Sequence, residues 1–210
     1  MKDNIKPLKP RTTPTQVRSK KRAQEIMQVT AQLLDKVGLD DLTTILISKE
    51  LGISVGSLYH YFPNKHAILN SLAESWLKDW DKLLDEVSLI KVETMELDTV
   101  VTELIESFKA LYVDQKGILP LVQAMDTIPE LRNLDEQHDK LVLRRMAAVF
   151  VRLGFNQSKQ EIVRISSVFL DIMHIMLVKF LSQQSKFAQR TLDDLNAIIC
   201  HLLKSHLPSE

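Results

Sequence analysis

One cysteine stands in 210 residues. A lone Cys200 cannot build an internal disulfide framework, and such scarcity suits a reducing compartment. Glycine is scarce, at 5, and proline, at 7, lies largely towards the two ends. So few turn formers argue against a many-stranded sheet and for long helices. No run of alternating strands and no repeat of fixed period is visible. A phosphate-binding Gly-rich loop is also missing. The N-terminus is basic and contains proline rather than an apolar leader, so a cytoplasmic location is expected. The most apolar run, Ile162–Leu181, is broken by Arg164, Asp171, His174 and Lys179. Charges at a bilayer centre are costly. That run therefore reads as a helix buried on most sides, and no membrane partner is expected.

What the chain has is an apolar content of 45%, enough for a globular core. It also has a charge asymmetry hidden in a net charge of zero. Residues 1–66 hold 11 Lys and Arg against 6 Asp and Glu, and the remainder is negative by the same margin. Residues 1–22 alone hold 8 basic residues and one acidic. A basic end on a neutral chain is the footprint of polyanion binding, although a solubilising tail carries the same charge. Pro7, Pro10 and Pro14 predict an extended, disordered basic arm over residues 1–15.

Beyond the arm the apolar spacing is helical. Ala23, Ile26, Met27, Thr30, Leu33, Leu34 and Val37 predict a helix from Val17 to Val37 that stops at Gly38. Asp and Thr in "LDDLTT" offer caps for a short helix Thr44–Leu51. Gly52 ends it, and Ser54 is the candidate N-cap of another, Val55–Phe62. Pro63-Asn64 breaks that one, and Asn64 can cap a long helix from Lys65 to Val87. Later helices are predicted near Leu97–Val113, Ile118–Met125, Glu130–Leu153, Gln160–Ser182 and Ala188–Ser205.

Two short helices joined by a tight turn at Gly52 form a helix-turn-helix pattern, whose second helix enters the DNA major groove. Val55, Leu58 and Phe62 lie on one face and can anchor it. Gly56, Ser57, His60 and Tyr61 populate the other. Small residues allow close approach, and hydroxyl and imidazole groups hydrogen-bond base edges or phosphates. An ordinary solvated helix would show the same pattern.

Residues 22–69 resemble the DNA-binding domain of the tetracycline-repressor (TetR) family. The resemblance rests on Ile26, Leu33, Leu34, Gly38, Leu39, Leu42-Thr43, Ile47, Leu51-Gly52-Ile53-Ser54, Gly56-Ser57-Leu58-Tyr59, Tyr61-Phe62, Asn64-Lys65 and Leu69, all in register. It implies an all-α fold: a helix-turn-helix DNA-binding domain over residues 16–64, and a larger helical domain over 65–210 that dimerises and holds an effector. It also implies base contacts by Ser54, Val55, Gly56, Ser57 and His60, and phosphate contacts mainly by Thr43, Tyr59, Tyr61 and Lys65, with Thr44 also among the DNA-binding residues. Ser48 departs from the family's usual Ala. Ile45 and Leu46 stand at commonly polar positions, Thr44 at a commonly apolar one, and Tyr61 where His is frequent.

In the C-terminal part, Ile165, Phe169, Ile172, Met176, Leu177, Leu195, Ile199, Leu202 and Leu203 suit either a core or a subunit interface. Arg164, Ser167, Asp171 and His174 form a narrow polar strip, read as an Arg–Asp–His network or as a solvated edge. Trp76, Trp80, Phe108, Tyr112, Met125, Met146, Phe169, Met173 and His174 are the candidate ligand residues, by the resemblance and because adaptable apolar groups with few polar anchors make pockets. For any single one of them plain core packing is the better explanation, and it is the set as a whole that the resemblance assigns to a pocket. Asp135-x-x-His138 and Asp171-x-x-His174 raise a competing reading, a helical-bundle metal oxidase. The expectation from all of this is a non-enzymatic, homodimeric regulator without a cofactor. It would repress by binding near-palindromic double-stranded operator DNA and leave it on binding a small apolar or amphipathic effector. A DNA-binding protein of the same fold without an inducer is the alternative.

Overall fold

The computed structural model describes residues 17–113 and 117–208. The expected basic arm, residues 1–15, lies outside them. Among the described residues the chain is all-α: α1 (Val17–Asp41), α2 (Thr44–Glu50), α3 (Val55–Tyr61), α4 (Lys65–Leu89), α5 (Leu97–Val113), α6 (Ile118–Thr127), α7 (Pro129–Arg152), α8 (Lys159–Leu181) and α9 (Ser185–Lys204). Within them no helix is long and apolar enough to cross a membrane.

Local chemistry sets the boundaries. Gly38 interrupts α1 with φ 77° and ψ −178°, a conformation open to glycine because it has no Cβ. Thr43 accepts the Leu46 amide at 3.1 Å, Ser54 accepts that of Ser57 at 3.1 Å, and Asn64 accepts that of Ala67 at 2.9 Å. Each cap satisfies one of the amides that a helix start leaves over. The expected stops at Leu51 and Phe62 are the C-caps of α2 and α3.

The chain divides into two compact units. The first is residues 1–78 with 116–136, and the second is residues 79–115 with 137–210. The division falls inside α4 and α7. Packing gives the reason: α6 lies on α1. At Gly117, φ 71°, a Cβ would stand 2.4 Å from the Ala31 carbonyl oxygen, so the backbones meet where no side chain fits. The core of this unit includes Ile26, Leu34, Leu42, Ile47, Leu58, Phe62 and Ile68, all buried.

In the second unit α8 packs on α9, and both pack on α5. Ile165, Phe169, Leu177, Leu195, Ile199 and Leu203 are buried there. Those six therefore belong to the protomer's own core. Ile172, Met176 and Leu202 are half-buried, and Ile175 is 63% exposed. A seam of polar side chains at heptad spacing on α7 meets the end of α4. His138 Nε2 lies 3.1 Å from Asp81 Oδ1, Arg145 pairs with Asp85, and Arg152 grips Glu93 at 2.6 and 3.1 Å. Arg152 also donates to the Ser88 and Ile90 carbonyls at 2.6 and 2.7 Å, where the helix dipole favours a cation. Its hydrogen bonds hold the Glu93 carboxyl below the usual carboxylate range.

Candidate nucleic-acid interface

The α2–α3 pair is held from beneath and open above. Ile47 and Leu58 are fully buried, and Phe62 nearly so, which fixes both helices to the first unit. On the other side Thr43, Ser54, Gly56, Ser57, Tyr59 and His60 are exposed, while Thr44, Val55, Tyr61 and Lys65 are half-buried. All ten predicted contact residues thus have surface on or beside the helix pair.

Their hydroxyls are already ordered. Ser54 and Ser57 Oγ atoms are 2.9 Å apart, and Thr44 Oγ1 lies 3.2 Å from the Tyr59 hydroxyl, a bond that ties α2 to α3. The rings of His60 and Tyr61 meet edge to face at 5.3 Å. Lys65 is set differently from expectation: its Nζ donates to the Leu39 carbonyl at 3.0 Å, closing the chain behind Gly38. An ammonium has further N–H donors, so the tether and a phosphate contact are compatible.

Gly56 is informative. Its φ is not in the left-handed region, and a Cβ there would meet nothing closer than Ser54 Oγ at 3.8 Å. The fold has room for alanine, which helices favour over glycine by about 1 kcal/mol. Folding alone does not require a glycine as the second residue of α3.

Gly52-Ile53-Ser54-Val55-Gly56 also spells the Gly-x-Ser-x-Gly pattern of serine hydrolases. That pattern needs a strand-to-helix turn that exposes the serine as nucleophile. Here it joins two helices, and Ser54 caps α3. Cys200 is no better a nucleophile: burial, then the hydrogen bond and charge of Asp98, push its thiol up to about 11.

One neighbour of the helix pair escapes a reading of local sequence. Arg22 of α1 lines a depression of about 310 Å³ with Ile53, Ser57, His60 and Tyr61. The basic run around Arg22 was the available signal, but only the packing of α1 shows which basic residue faces α3.

Of the candidate ligand residues, five in the second unit join one chain of ring contacts. Trp80 meets Phe108 at 5.3 Å and Tyr112 at 6.4 Å, Phe108 meets Phe169 at 6.0 Å, and Tyr112 meets His174 at 5.9 Å. Phe150 and Phe155, outside the predicted set, extend it. Tyr112 Oη lies 2.7 Å from His174 Nδ1. Met146 and Met173 are buried in this unit, and Trp76 and Met125 are buried in the first. A groove of about 420 Å³ between α4 and α7 is lined by other residues, Leu84, Val87, Arg145 and Arg152 among them.

The polar strip on α8 divides. Arg164 closes on Glu161 of its own turn at 2.6–3.0 Å, while His174 turns to Tyr112. Likewise His138 meets Asp81. Among the described residues no three His, Cys, Asp or Glu side chains are grouped to hold a metal ion.

Comparison with known proteins agrees with this architecture. Residues 26–72 match the bacterial regulatory proteins of the tetR family, and residues 96–203 match the tetracyclin repressor-like C-terminal domain. The chain is 39% identical over 57 residues to the HTH-type transcriptional regulator BetI of Vibrio atlanticus, covering 27% of this chain and 28% of BetI. It is 30% identical over 96 residues to the nucleoid occlusion factor SlmA of the same organism, covering 43% and 47%. These matches span less than half the length of either relative. A transcriptional regulator from Saccharomonospora viridis, solved in complex with choline, superposes with a TM-score of 0.68 at 16% identity, covering 87% of this chain and 97% of that one. With both family segments matched in order on one all-helical chain, the protein belongs to the tetR family of bacterial regulatory proteins.

Proposed function

We propose that the chain is a homodimeric, cytoplasmic transcriptional repressor that leaves its operator on binding a small apolar or amphipathic effector. The observation that carries this is Gly56: an exposed glycine inside a helix whose fold would accept alanine, flanked by Ser57 and His60 on the open face of a helix-turn-helix. A closely approaching partner explains it, and the DNA major groove is such a partner. Ser54, Val55, Gly56, Ser57 and His60 face bases. Thr43, Thr44, Tyr59, Tyr61 and Lys65 hold phosphates.

Two copies present two recognition helices, so the operator is near-palindromic. The exposed Ile175, with half-buried Ile172 and Met176 on the same side of α8, supports a subunit interface there. Ile175→Glu should dissociate the dimer in analytical ultracentrifugation and weaken operator binding with it. The effector site is assigned to the aromatic chain around Trp80, Phe108 and Tyr112, where the Tyr112–His174 pair supplies a polar anchor. A coupling of about 1–3 kcal/mol, typical of allostery, lowers operator affinity by roughly 5- to 150-fold.

The test is to select bound fragments from genomic DNA, then titrate the operator in the presence of apolar metabolites that alter Trp fluorescence. Ligands that bind without changing operator affinity would remove the inducer. That outcome would favour a second reading, a DNA-binding protein of this fold without an effector, which the match to the nucleoid occlusion factor SlmA keeps in play.

A further inference from the structure

We infer that Arg22 of α1, outside the helix-turn-helix, clamps one DNA backbone phosphate against α3, and that Glu25 holds it in reserve when DNA is absent. The inference rests on the DNA-binding reading above. Its ground is the depression that Arg22 shares with Ile53, Ser57, His60 and Tyr61. Ile53 gives it an apolar side. Around it stand a guanidinium, a serine hydroxyl, an imidazole and a phenol. A guanidinium fork and a phenol hydroxyl are groups that hold phosphate oxygens, so Arg22 and Tyr61 form the clamp while Ser57 and His60 keep their base-facing role.

In the protein without DNA the guanidinium is occupied. Arg22 Nη1 lies 2.8 Å from Glu25 Oε2, three residues on in the same helix, and both side chains are more than a third exposed. Pairs this exposed are weak, so a phosphate oxygen can displace the carboxylate without leaving a buried charge behind. The pair keeps Arg22 beside the depression it lines. Glu25 therefore has two opposed effects: it orients the guanidinium, and it competes with DNA for it. Lys20 and Lys21, both exposed, stand beside it in sequence but line no part of the depression. Among the described residues, Arg22 is the basic side chain that lines it.

The experiment uses the full-length protein and its selected operator. Affinity is measured by fluorescence anisotropy across a salt series for wild type, Arg22→Gln, Arg22→Lys, Glu25→Gln and the double variant Arg22→Gln/Glu25→Gln. Arg22→Gln should weaken binding about tenfold. It should also flatten the salt slope by about one unit per subunit, as loss of a phosphate contact requires. Arg22→Lys keeps the charge and should keep the slope. Glu25→Gln should tighten binding severalfold, and that gain should vanish when residue 22 is Gln. Replacing single operator phosphates with neutral methylphosphonates should find one position per half-site where wild type weakens and Arg22→Gln does not.

An unchanged affinity and slope for Arg22→Gln would overturn the clamp. So would a change of preferred sequence, which would make Arg22 a base reader. An equal gain from Glu25→Gln in both backgrounds would show that Glu25 acts by general repulsion and would remove the reserve pairing. In each of these cases wild type still binds its operator. If wild type selects no DNA at all, the DNA-binding reading itself fails.

Discussion

The open face of α2–α3 and the aromatic chain of the second unit are both rich in candidate binding groups, yet they differ in what those groups are already doing. On α3, Ser57 and His60 are exposed, and their contacts are with neighbours on the same surface. In the aromatic chain Phe108 and Phe169 have no exposed surface and Tyr112 has 2%. Each ring is the edge-to-face partner of another. The first surface can meet DNA as it stands. A ligand entering the second must first part rings that pack well, and its measured affinity is reduced by the population of the opened state. In the control proposed above, parting Trp80 from Phe108 is the step that would reach α4 or α5, which carry the two rings.

Phe169→Ala tests that contrast most severely. Phe169 touches both Phe108 and Phe150 and is fully buried. Its truncation should cost about 3–5 kcal/mol in urea denaturation, as for a well-packed aromatic. A loss under about 1 kcal/mol would mean that the rings line a loose cavity ready for ligand, and the contrast would disappear.

Ser57→Arg makes the opposite change on the open face. A long cation where the helix approaches closely should lower operator affinity by at least about 2 kcal/mol, the scale of one good base contact. Thermal stability should stay within about 0.5 kcal/mol of wild type, as for most surface substitutions. If folding suffers as much as binding, Ser57 belongs to the scaffold.

The two regions were unequally legible in the sequence. Helix ends follow from caps and breakers a few residues apart, and the nine predicted helices stand within about four residues of the described ones, the largest difference being the end of α1 beyond Gly38. Exposure on α3 follows from the same local period: Leu58 turns in while Ser57 and His60 turn out. The pairings His138–Asp81, Arg152–Glu93 and Tyr112–His174 join residues 57–62 positions apart. No local period encodes them. The Asp-x-x-His spacing raised a metal site, whereas His138 meets Asp81 and His174 meets Tyr112, each on another helix. Leu177 and Ile175 show the same limit: both are apolar and two residues apart, and packing against α5 and α9 decides which is core.

Ser48→Ala sharpens the contrast from inside the first unit, where not every polar group serves a surface. Ser48 is 2% exposed, and its Oγ has no hydrogen-bond partner among the described residues. A buried polar atom left unsatisfied costs about 1–3 kcal/mol, part of which returns when it is removed. The variant should be more stable by about 1 kcal/mol, read as a raised melting temperature, with operator affinity unchanged. A loss of stability would reveal a partner such as a bound water.

Gly56→Ala separates the two roles of α3 most cleanly. The new methyl group has room, with Ser54 Oγ at 3.8 Å its nearest neighbour, and it lowers the backbone entropy lost on forming the helix. Stability should rise by up to about 1 kcal/mol. Operator affinity should fall, because the methyl occupies space that a base edge needs. A more stable protein that binds less well is the signature of a residue kept for its partner at the expense of its fold. A more stable protein that binds equally well would mean that α3 stands off the DNA at this turn. Specificity would then rest on Ser54, Val55, Ser57 and His60, and the open contact face would have to be redrawn without Gly56.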